Sequence, residues 1–157
     1  MPFLPLNDAN PRLYIRAHYV TIGLILLNAA IFWNTLGAVQ SGIDETLIGY
    51  ALIPARLLSD AQLPVDWPGV SSTLTLVSYQ FLHGGWQHLI FNMLFLWVFG
   101  DNVEDSMGHF RFIAFFLICG IGGGLLHSFI DPNSLTPTIG ASGAIAGVLG
   151  GYLMLYP

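Results

Sequence analysis

The sequence predicts an all-α fold, a polytopic membrane bundle with about four transmembrane helices in residues 1–157. The first observation behind this prediction is composition: 54% of the residues are hydrophobic and only 8% are charged, against about 25% charged in a soluble domain. The second is a set of four apolar runs that approach the length of a bilayer crossing. So few charges cannot cover a solvated surface, and we therefore expect an integral membrane protein.

The charged residues and the single cysteine exclude several classes of protein. The formal net charge is −5, and the basic residues are four arginines with no lysine, which is too sparse a basic set for nucleic-acid binding. Cys119 is the only cysteine and lies in an apolar run. Neither a disulfide framework nor a metal cluster is therefore predicted.

The N-terminal part of the chain predicts a surface segment followed by a membrane anchor. Residues 1–18 are polar and contain three prolines. The first apolar run, from about Tyr19 to Val39, is as long as a full span and lacks a small-residue cleavage site, so a retained helix is predicted rather than a signal peptide. We expect Asn28 and Asn34 in this span to form hydrogen bonds between helices.

A long connection, residues 40–74, follows the first span and is predicted to be associated with the membrane. Connections of this length are uncommon unless they have a function. Its apolar positions predict a short amphipathic helix lying at the membrane interface. These positions are Leu47, Ile48, Ala51, Leu52, Ile53, Leu57 and Leu58.

The rest of the chain predicts three further spans. The second apolar run extends from about Leu74 to Phe99 and contains several polar residues, and a polar loop is predicted from Gly100 to Arg111. The third span is expected from about Phe112 to Phe129, with a glycine cluster, Gly120 to Gly124, that lets another helix approach closely. After a proline-marked polar loop, the fourth span begins at Ser142.

The arginines predict the orientation of the bundle. With the N-terminus in the cytoplasm, Arg12, Arg16 and Arg111 lie inside and only Arg56 lies outside, which agrees with the positive-inside rule. In this orientation the start of the fourth span, at Ser142, faces the non-cytoplasmic side.

The stretch Gly140-Ala141-Ser142-Gly143 places one hydroxyl where a polar loop becomes the fourth apolar helix. One interpretation is that the serine caps the helix and the glycines allow helices to pack. The other is a serine nucleophile, because the free N–H groups and the dipole of a helix N-terminus favour developing negative charge.

His88 and Asn92 are four positions apart in the second run, so on a helix they share one face. Polar side chains at membrane depth face a partner or a wet cavity, and each of these two could simply bond a neighbouring helix. In the predicted topology both lie one to two turns below the side at which Ser142 begins its helix. A histidine ring N–H, an asparagine amide and a backbone N–H are the donor types that stabilise an acyl-transfer oxyanion.

These residues carry a family resemblance. Gly140-Ala141-Ser142-Gly143 resembles the Gly-x-Ser-Gly of rhomboid intramembrane serine proteases, and His88-Leu-Ile-Phe-Asn92 resembles the family's His-x-x-x-Asn. The segments from Phe81 to His88 and from Phe99 to Glu104 are similar to that family as well, and the match extends from about residue 15 to the end. The resemblance implies a cofactor-free helical-bundle protease that cleaves transmembrane segments of other proteins.

The resemblance also implies roles for individual residues. Ser142 would be the nucleophile, and His88 and Asn92 would form the oxyanion hole with the Ser142 N–H. Gly140 and Gly143 would let the loop turn and the helices approach. The remaining assignments are Glu104 as a structural anchor in the cytoplasmic loop and residues 40–74 as the membrane-embedded loop beside the site.

The general base is the missing part of this pattern, because the rhomboid core has six helices with the catalytic histidine on the sixth. We expect residues 1–157 to be a single, C-terminally incomplete rhomboid domain whose base lies beyond Pro157, and this chain alone to be catalytically silent. Hydrogen bonding near the cavity mouth is predicted for His83. His18 and His109 lie at the cytoplasmic ends in the predicted topology and are too distant to act as the base. His127, at the outer end of the third span, is the one histidine that could substitute.

The sequence therefore predicts an intramembrane serine endopeptidase whose partners are transmembrane protein substrates and the lipid bilayer. The alternative is a non-catalytic rhomboid-like protein that binds transmembrane helices, and a channel or transporter segment is a third, weaker reading. The expected location is a bacterial-type inner membrane, with the N-terminus cytoplasmic.

Overall fold

The computed structural model describes residues 14–41, 45–59, 61 and 68–156. Most of the predicted surface segment 1–18, together with Arg12 and parts of the connection 40–74, lies outside the described residues. Within these ranges the chain is helical, and its β-pairing is one isolated antiparallel bridge between Leu52 and Thr138. The helices are α1 (Tyr19–Ser41), α2 (Glu45–Tyr50), α3 (Pro54–Leu58), α4 (Thr75–Ser78), a 3-10 helix (Tyr79–Phe81), α5 (Trp86–Met107), α6 (His109–Ile130) and α7 (Ser142–Leu155).

Two of these helices are long and apolar enough to cross a membrane. They are α1 over Tyr19–Gly37 and α6 over His109–Ile130, whereas α7 is apolar but has only 14 residues. Large apolar side chains remain exposed on their outer faces, among them Trp33 at 70% and Phe129 at 66%. The all-helical fold class is confirmed and fits a helical membrane protein, while only two of the four predicted spans are reproduced as candidate membrane crossings.

The second predicted span, Leu74 to Phe99, is not one helix. The 3-10 helix ends at Phe81, Leu82 is extended, and α5 begins only at Trp86. Gly84 and Gly85 lie in this break, where two consecutive glycines make continued helix costly because they lose the most backbone freedom on folding. The short helical part before the break therefore forms a separate element.

The predicted polar loop from Gly100 to Arg111 is also wrong. Helix α5 continues through it to Met107, and α6 begins two residues later. The turn between them is made at Gly108, whose φ of 78° lies in the left-handed region that favours glycine. The acidic residues that suggested a loop, such as Glu104 and Asp105, are instead buried and hydrogen-bonded to the N-terminal part of the chain.

The predicted amphipathic helix in the connection is divided into α2 and α3. Between them Ala51, Leu52 and Ile53 are buried inside the protein rather than lying at a membrane surface. Ile53 is extended, with φ −117° and ψ 113°, and Pro54 begins α3. This follows from the proline, because the residue before it is disfavoured in the helical region.

The asparagines of α1 do not form the predicted bonds between helices. Asn28 Nδ2 donates to the Leu24 carbonyl at 2.8 Å, and Asn34 Nδ2 donates to the Ala30 carbonyl at 2.7 Å. Both bonds reach four residues back along the same helix, which is a common local alternative for short polar side chains. The prediction failed because it assumed a partner helix beside Asn34, whose side chain is exposed.

Helix α7 packs against α5 and α6, and the buried core lies among these three helices. Glycines allow the close approach: a Cβ on Gly123 would lie 3.1 Å from the Gly143 Cα, and one on Gly147 would lie 2.4 Å from the Cys119 Sγ. The predicted role of the Gly120–Gly124 cluster is thus confirmed. The core consists of Leu96, Val103, Phe112, Phe116, Ala141, Ala144, Ile145 and Val148.

Candidate active site

Four predicted site residues meet near the start of α7. Asn92 Nδ2 lies 3.0 Å from His83 Nε2, and the rings of His83 and His88 meet edge to face with centroids 5.1 Å apart. His83 is fully buried and Asn92 is 8% exposed. The His88 ring lies against Gly140. The structure therefore brings together two histidines, one amide and the glycine that precedes Ser142 by two positions.

Gly140 is restricted to glycine by two independent features. Its φ is 122°, a backbone conformation that residues with a Cβ rarely adopt. A Cβ at this position would also lie 2.6 Å from both Cε1 and Nε2 of His88. The absence of a side chain therefore lets the loop that leads to Ser142 lie directly on the Nε2 edge of the His88 ring.

Ser142 is the first residue of α7 and its side chain is exposed. The residue before it, Ala141, provides no side-chain cap, so the N–H groups of the first turn have no capping partner. No residue in the described part of the chain hydrogen-bonds the Ser142 hydroxyl. The hydroxyl is thus accessible at a helix end whose dipole favours negative charge.

The Asn92–His83 contact determines how the amide is held. If Asn92 Nδ2 donates to Nε2 of His83, that nitrogen is the acceptor, and His83 is neutral with its proton on Nδ1. The second N–H of the same amide and the ring of His88 then remain as possible donors on the side of Gly140. Such a pair of donors beside a helix N-terminus is suited to hold a developing oxyanion.

The described residues contain no group of three or more His, Cys, Asp or Glu side chains that could hold a metal ion. The groups that meet at the site are two imidazoles, one amide and backbone N–H groups.

The other histidines are placed apart from this cluster. His18 packs edge-on against Trp97, with ring centroids 5.5 Å apart, and His109 Nδ1 lies 2.6 Å from a carboxylate oxygen of Glu104. Glu104 is sixteen positions after His88 on α5, or about 24 Å along a helix axis. His127 is exposed in the last turn of α6, at the same end of the bundle as the site.

Glu104 lies on α5 rather than in a loop, and it is completely buried. One carboxylate oxygen accepts hydrogen bonds from Val20 N at 3.0 Å and from His109 Nδ1 at 2.6 Å. The other accepts from Thr21 N at 2.8 Å and from Thr21 Oγ1 at 2.7 Å. The three contacts from Val20 and Thr21 fix the start of α1 against the end of α5, and the contact from His109 adds the start of α6.

Two polar residues of the short helical part before α5 were missed in the sequence. The Tyr79 hydroxyl donates to the Gly120 carbonyl at 2.6 Å, and its side chain is 4% exposed. Gln80 Nε2 donates to the Leu76 carbonyl at 2.8 Å, and Gln80 Oε1 would lie 2.0 Å from a Cβ on Gly120. The sequence did offer one indication, namely two adjacent polar residues within an apolar run. Such residues can be buried only where a neighbouring helix has small residues, such as Gly120, that leave room for them.

A family model described as the Rhomboid domain matches residues 71–157, more than half of the chain. The chain belongs to the rhomboid family. Rhomboid protease AarA of Providencia stuartii is 29% identical over 150 residues, which are 87% of this chain and 50% of that protein. Rhomboid protein 1, mitochondrial, of Saccharomyces cerevisiae is 33% identical over 122 residues, 74% of this chain and 35% of that protein.

A further relative is similar over a shorter part of the chain. Rhomboid protease GluP of Bacillus subtilis is 44% identical over 72 residues, 46% of this chain and 14% of that protein. The chain thus spans half or less of the length of these curated relatives. No solved structure matches it significantly.

Membership of the family supports an intramembrane protease and a membrane location. Several relatives are named as proteases. Others are named as mitochondrial or chloroplastic proteins, so family membership supports a membrane without specifying a bacterial inner membrane.

Proposed function

We propose that this protein is a serine endopeptidase that cleaves transmembrane segments of other membrane proteins, with Ser142 as the nucleophile. The observation that carries the proposal is the contact of the His88 ring with Gly140, beside Asn92 and two residues before the exposed Ser142. A packing role for the serine alone gives no reason for oxyanion-type donors beside an exposed hydroxyl.

In the proposed reaction the Ser142 Oγ attacks the carbonyl carbon of the scissile peptide bond as its proton passes to a general base, and the carbonyl oxygen gains negative charge. The C–N bond then breaks, the leaving amine takes the proton from the base, and water hydrolyses the acyl-enzyme ester to restore the Ser142 hydroxyl. The His88 ring N–H, the Asn92 amide and the Ser142 N–H stabilise this charge. One such donor typically contributes about 3–4 kcal/mol to the transition state. His83 holds the Asn92 amide in place through the 3.0 Å contact.

A serine hydroxyl needs a general base to react. None of the histidines in the described part of the chain hydrogen-bonds Ser142. We therefore propose that the base comes from a residue outside these 157. His127 is the second candidate, since it lies one turn beyond Gly123, which contacts Gly143 at the head of α7.

The proposed topology places the site on the non-cytoplasmic side. Arg16 and Arg111 are exposed beside the starts of α1 and α6, at the end of the bundle opposite to Ser142. Arg56 lies on the side of the site. This distribution supports a cytoplasmic N-terminus. One rhomboid domain over the chain, with residues 40–74 as a loop beside the site, completes the proposed arrangement. Lipid and transmembrane substrates are the proposed partners, and no cofactor is needed.

Labelling with a fluorophosphonate probe tests the proposal. The full-length protein that contains this sequence is purified in detergent, and labelling and cleavage of a transmembrane reporter are measured for wild type, Ser142→Ala and Ser71→Ala. We expect the first variant to lose both signals, and Ser71→Ala, at another exposed serine, to retain them. Labelling that survives in Ser142→Ala would contradict the proposed nucleophile.

A second arm uses the 157-residue chain alone. We expect it to show no cleavage, because its base is proposed to lie elsewhere. Cleavage by this chain that is lost in His127→Ala would instead assign the base to His127. A full-length protein that binds transmembrane segments but is not labelled would support the non-catalytic alternative.

A further inference from the structure

We infer that Tyr79 is a positioning residue that sets the orientation of Ser142, an inference that rests on the proposed function. Tyr79 contacts the chain on both sides of the serine. Its carbonyl accepts a hydrogen bond from Gly140 N at 2.9 Å. Its hydroxyl lies against Gly143, where a Cβ would be 3.3 Å from the hydroxyl oxygen. One residue therefore holds the position two before Ser142 and the position directly after it.

Tyr79 is itself fixed to α6. Its hydroxyl donates to the Gly120 carbonyl at 2.6 Å, and a Cβ on Gly124 would lie 3.1 Å from its ring atom Cε1. The lack of a side chain at Gly124 makes space for the ring. Because the ring is buried and bonded to a helix backbone, it provides a rigid reference for the loop it contacts.

The contact with Gly140 links Tyr79 to the oxyanion donors. Gly140 touches the His88 ring on one side and is bonded to the Tyr79 carbonyl on the other. A shift of Tyr79 would therefore move Ser142 relative to His88 and Asn92. A misplacement of about 1 Å at a reacting group can cost about 100-fold in rate.

Tyr79→Phe removes the hydroxyl and keeps the ring. We expect kcat for the reporter to fall about tenfold while KM stays within about twofold, because the loss affects the alignment of the reacting groups rather than substrate binding. The matched control is Tyr156→Phe at the other end of α7, whose hydroxyl lies 3.2 Å from Ser106 Oγ. This control should leave both constants unchanged.

Probe labelling separates positioning from folding. In the full-length protein, the labelling endpoint counts molecules with a competent site, and the rate constant measures the reactivity of each site. For Tyr79→Phe we expect the endpoint of wild type with a rate constant about tenfold lower. An endpoint that falls while the rate constant is unchanged would show a purely structural role and overturn the inference.

A second variant covers the case in which Tyr79→Phe does not fold. Gly143→Ala places a methyl group 3.3 Å from the Tyr79 hydroxyl, and we expect it to slow labelling at an unchanged endpoint. If wild type is not labelled at Ser142, the proposed function fails. If wild type is labelled and both variants react at its rate, the function stands and the role of Tyr79 is refuted.

Discussion

Gly140→Ala is the substitution that most directly tests the geometry of the site. The new Cβ would meet the His88 ring at 2.6 Å, whereas ordinary van der Waals contacts begin at 3.4 Å. The loop or the ring must therefore move by about 0.8 Å, the difference between these two distances. The φ of 122° also has to change or remain strained, because alanine rarely adopts it.

The two effects act on different quantities. Backbone strain of this kind costs about 1–3 kcal/mol of stability, which many proteins tolerate. Activity is affected directly, because a displacement of about 0.8 Å between Ser142 and His88 corresponds to a loss of roughly 40-fold if 1 Å costs about 100-fold. We therefore expect a folded protein that is nearly inactive.

The assay measures reporter cleavage and thermal unfolding of the full-length protein side by side. Gly122→Ala is the matched control, because its Cβ would meet nothing within 4 Å and a helical alanine is favoured over glycine by about 1 kcal/mol. It should be as active as wild type and at least as stable. If Gly140→Ala cleaves within about threefold of the wild-type rate, the close contact of His88 with the loop does not position the donors, and the reasoning fails.

Three further substitutions test other parts of the structure. Asn92→Ala should lower kcat about 100- to 1000-fold with a smaller change in KM, while Asn34→Ala on the exposed face of α1 should change neither. Equal losses in kcat and substrate affinity would count against an oxyanion role for Asn92. Glu104→Ala leaves four donors without their acceptor and should lower the free energy of unfolding, measured by denaturation in detergent, by about 3 kcal/mol. An unchanged midpoint of the denaturation curve would show that water replaces the carboxylate. Arg56→Ala removes two hydrogen bonds to backbone carbonyls of the long connection and should make that connection more sensitive to limited proteolysis, whereas a wild-type digestion pattern would mean that the arginine does not hold the loop.

The parts of the fold that follow from local sequence were predicted correctly. The starts of α1 at Tyr19 and of α7 at Ser142 coincide with changes from polar to apolar sequence, which are visible without knowing the fold. The proximity of His88 and Asn92 followed from helical spacing alone. Their contact with Gly140 could be expected only because the topology places the two elements at the same end of the bundle.

The parts that depend on distant partners were not predicted. Glu104 and Asp105 indicated a loop because their acceptor groups are satisfied by residues more than 80 positions earlier in the chain. The bridge between Leu52 and Thr138 joins two segments 86 positions apart in the same way. A polar side chain in an apolar run can mark a loop, or it can be buried and hydrogen-bonded to a distant segment. Which of the two occurs depends on whether the fold brings a bonding partner to it, and the local sequence does not contain that information.

The anchoring of the N-terminal segment has a consequence for how its sequence can vary. Asp105 accepts from the backbone N–H groups of Tyr14 and Ile15, and Glu104 accepts from that of Val20. Since every residue except proline offers this N–H, the bonds themselves place no demand on the side chains: exposed Tyr14 should vary widely, whereas Val20 is limited to apolar residues by its packing against the core. Substitution to proline there, or loss of either carboxylate, should be the changes that selection removes.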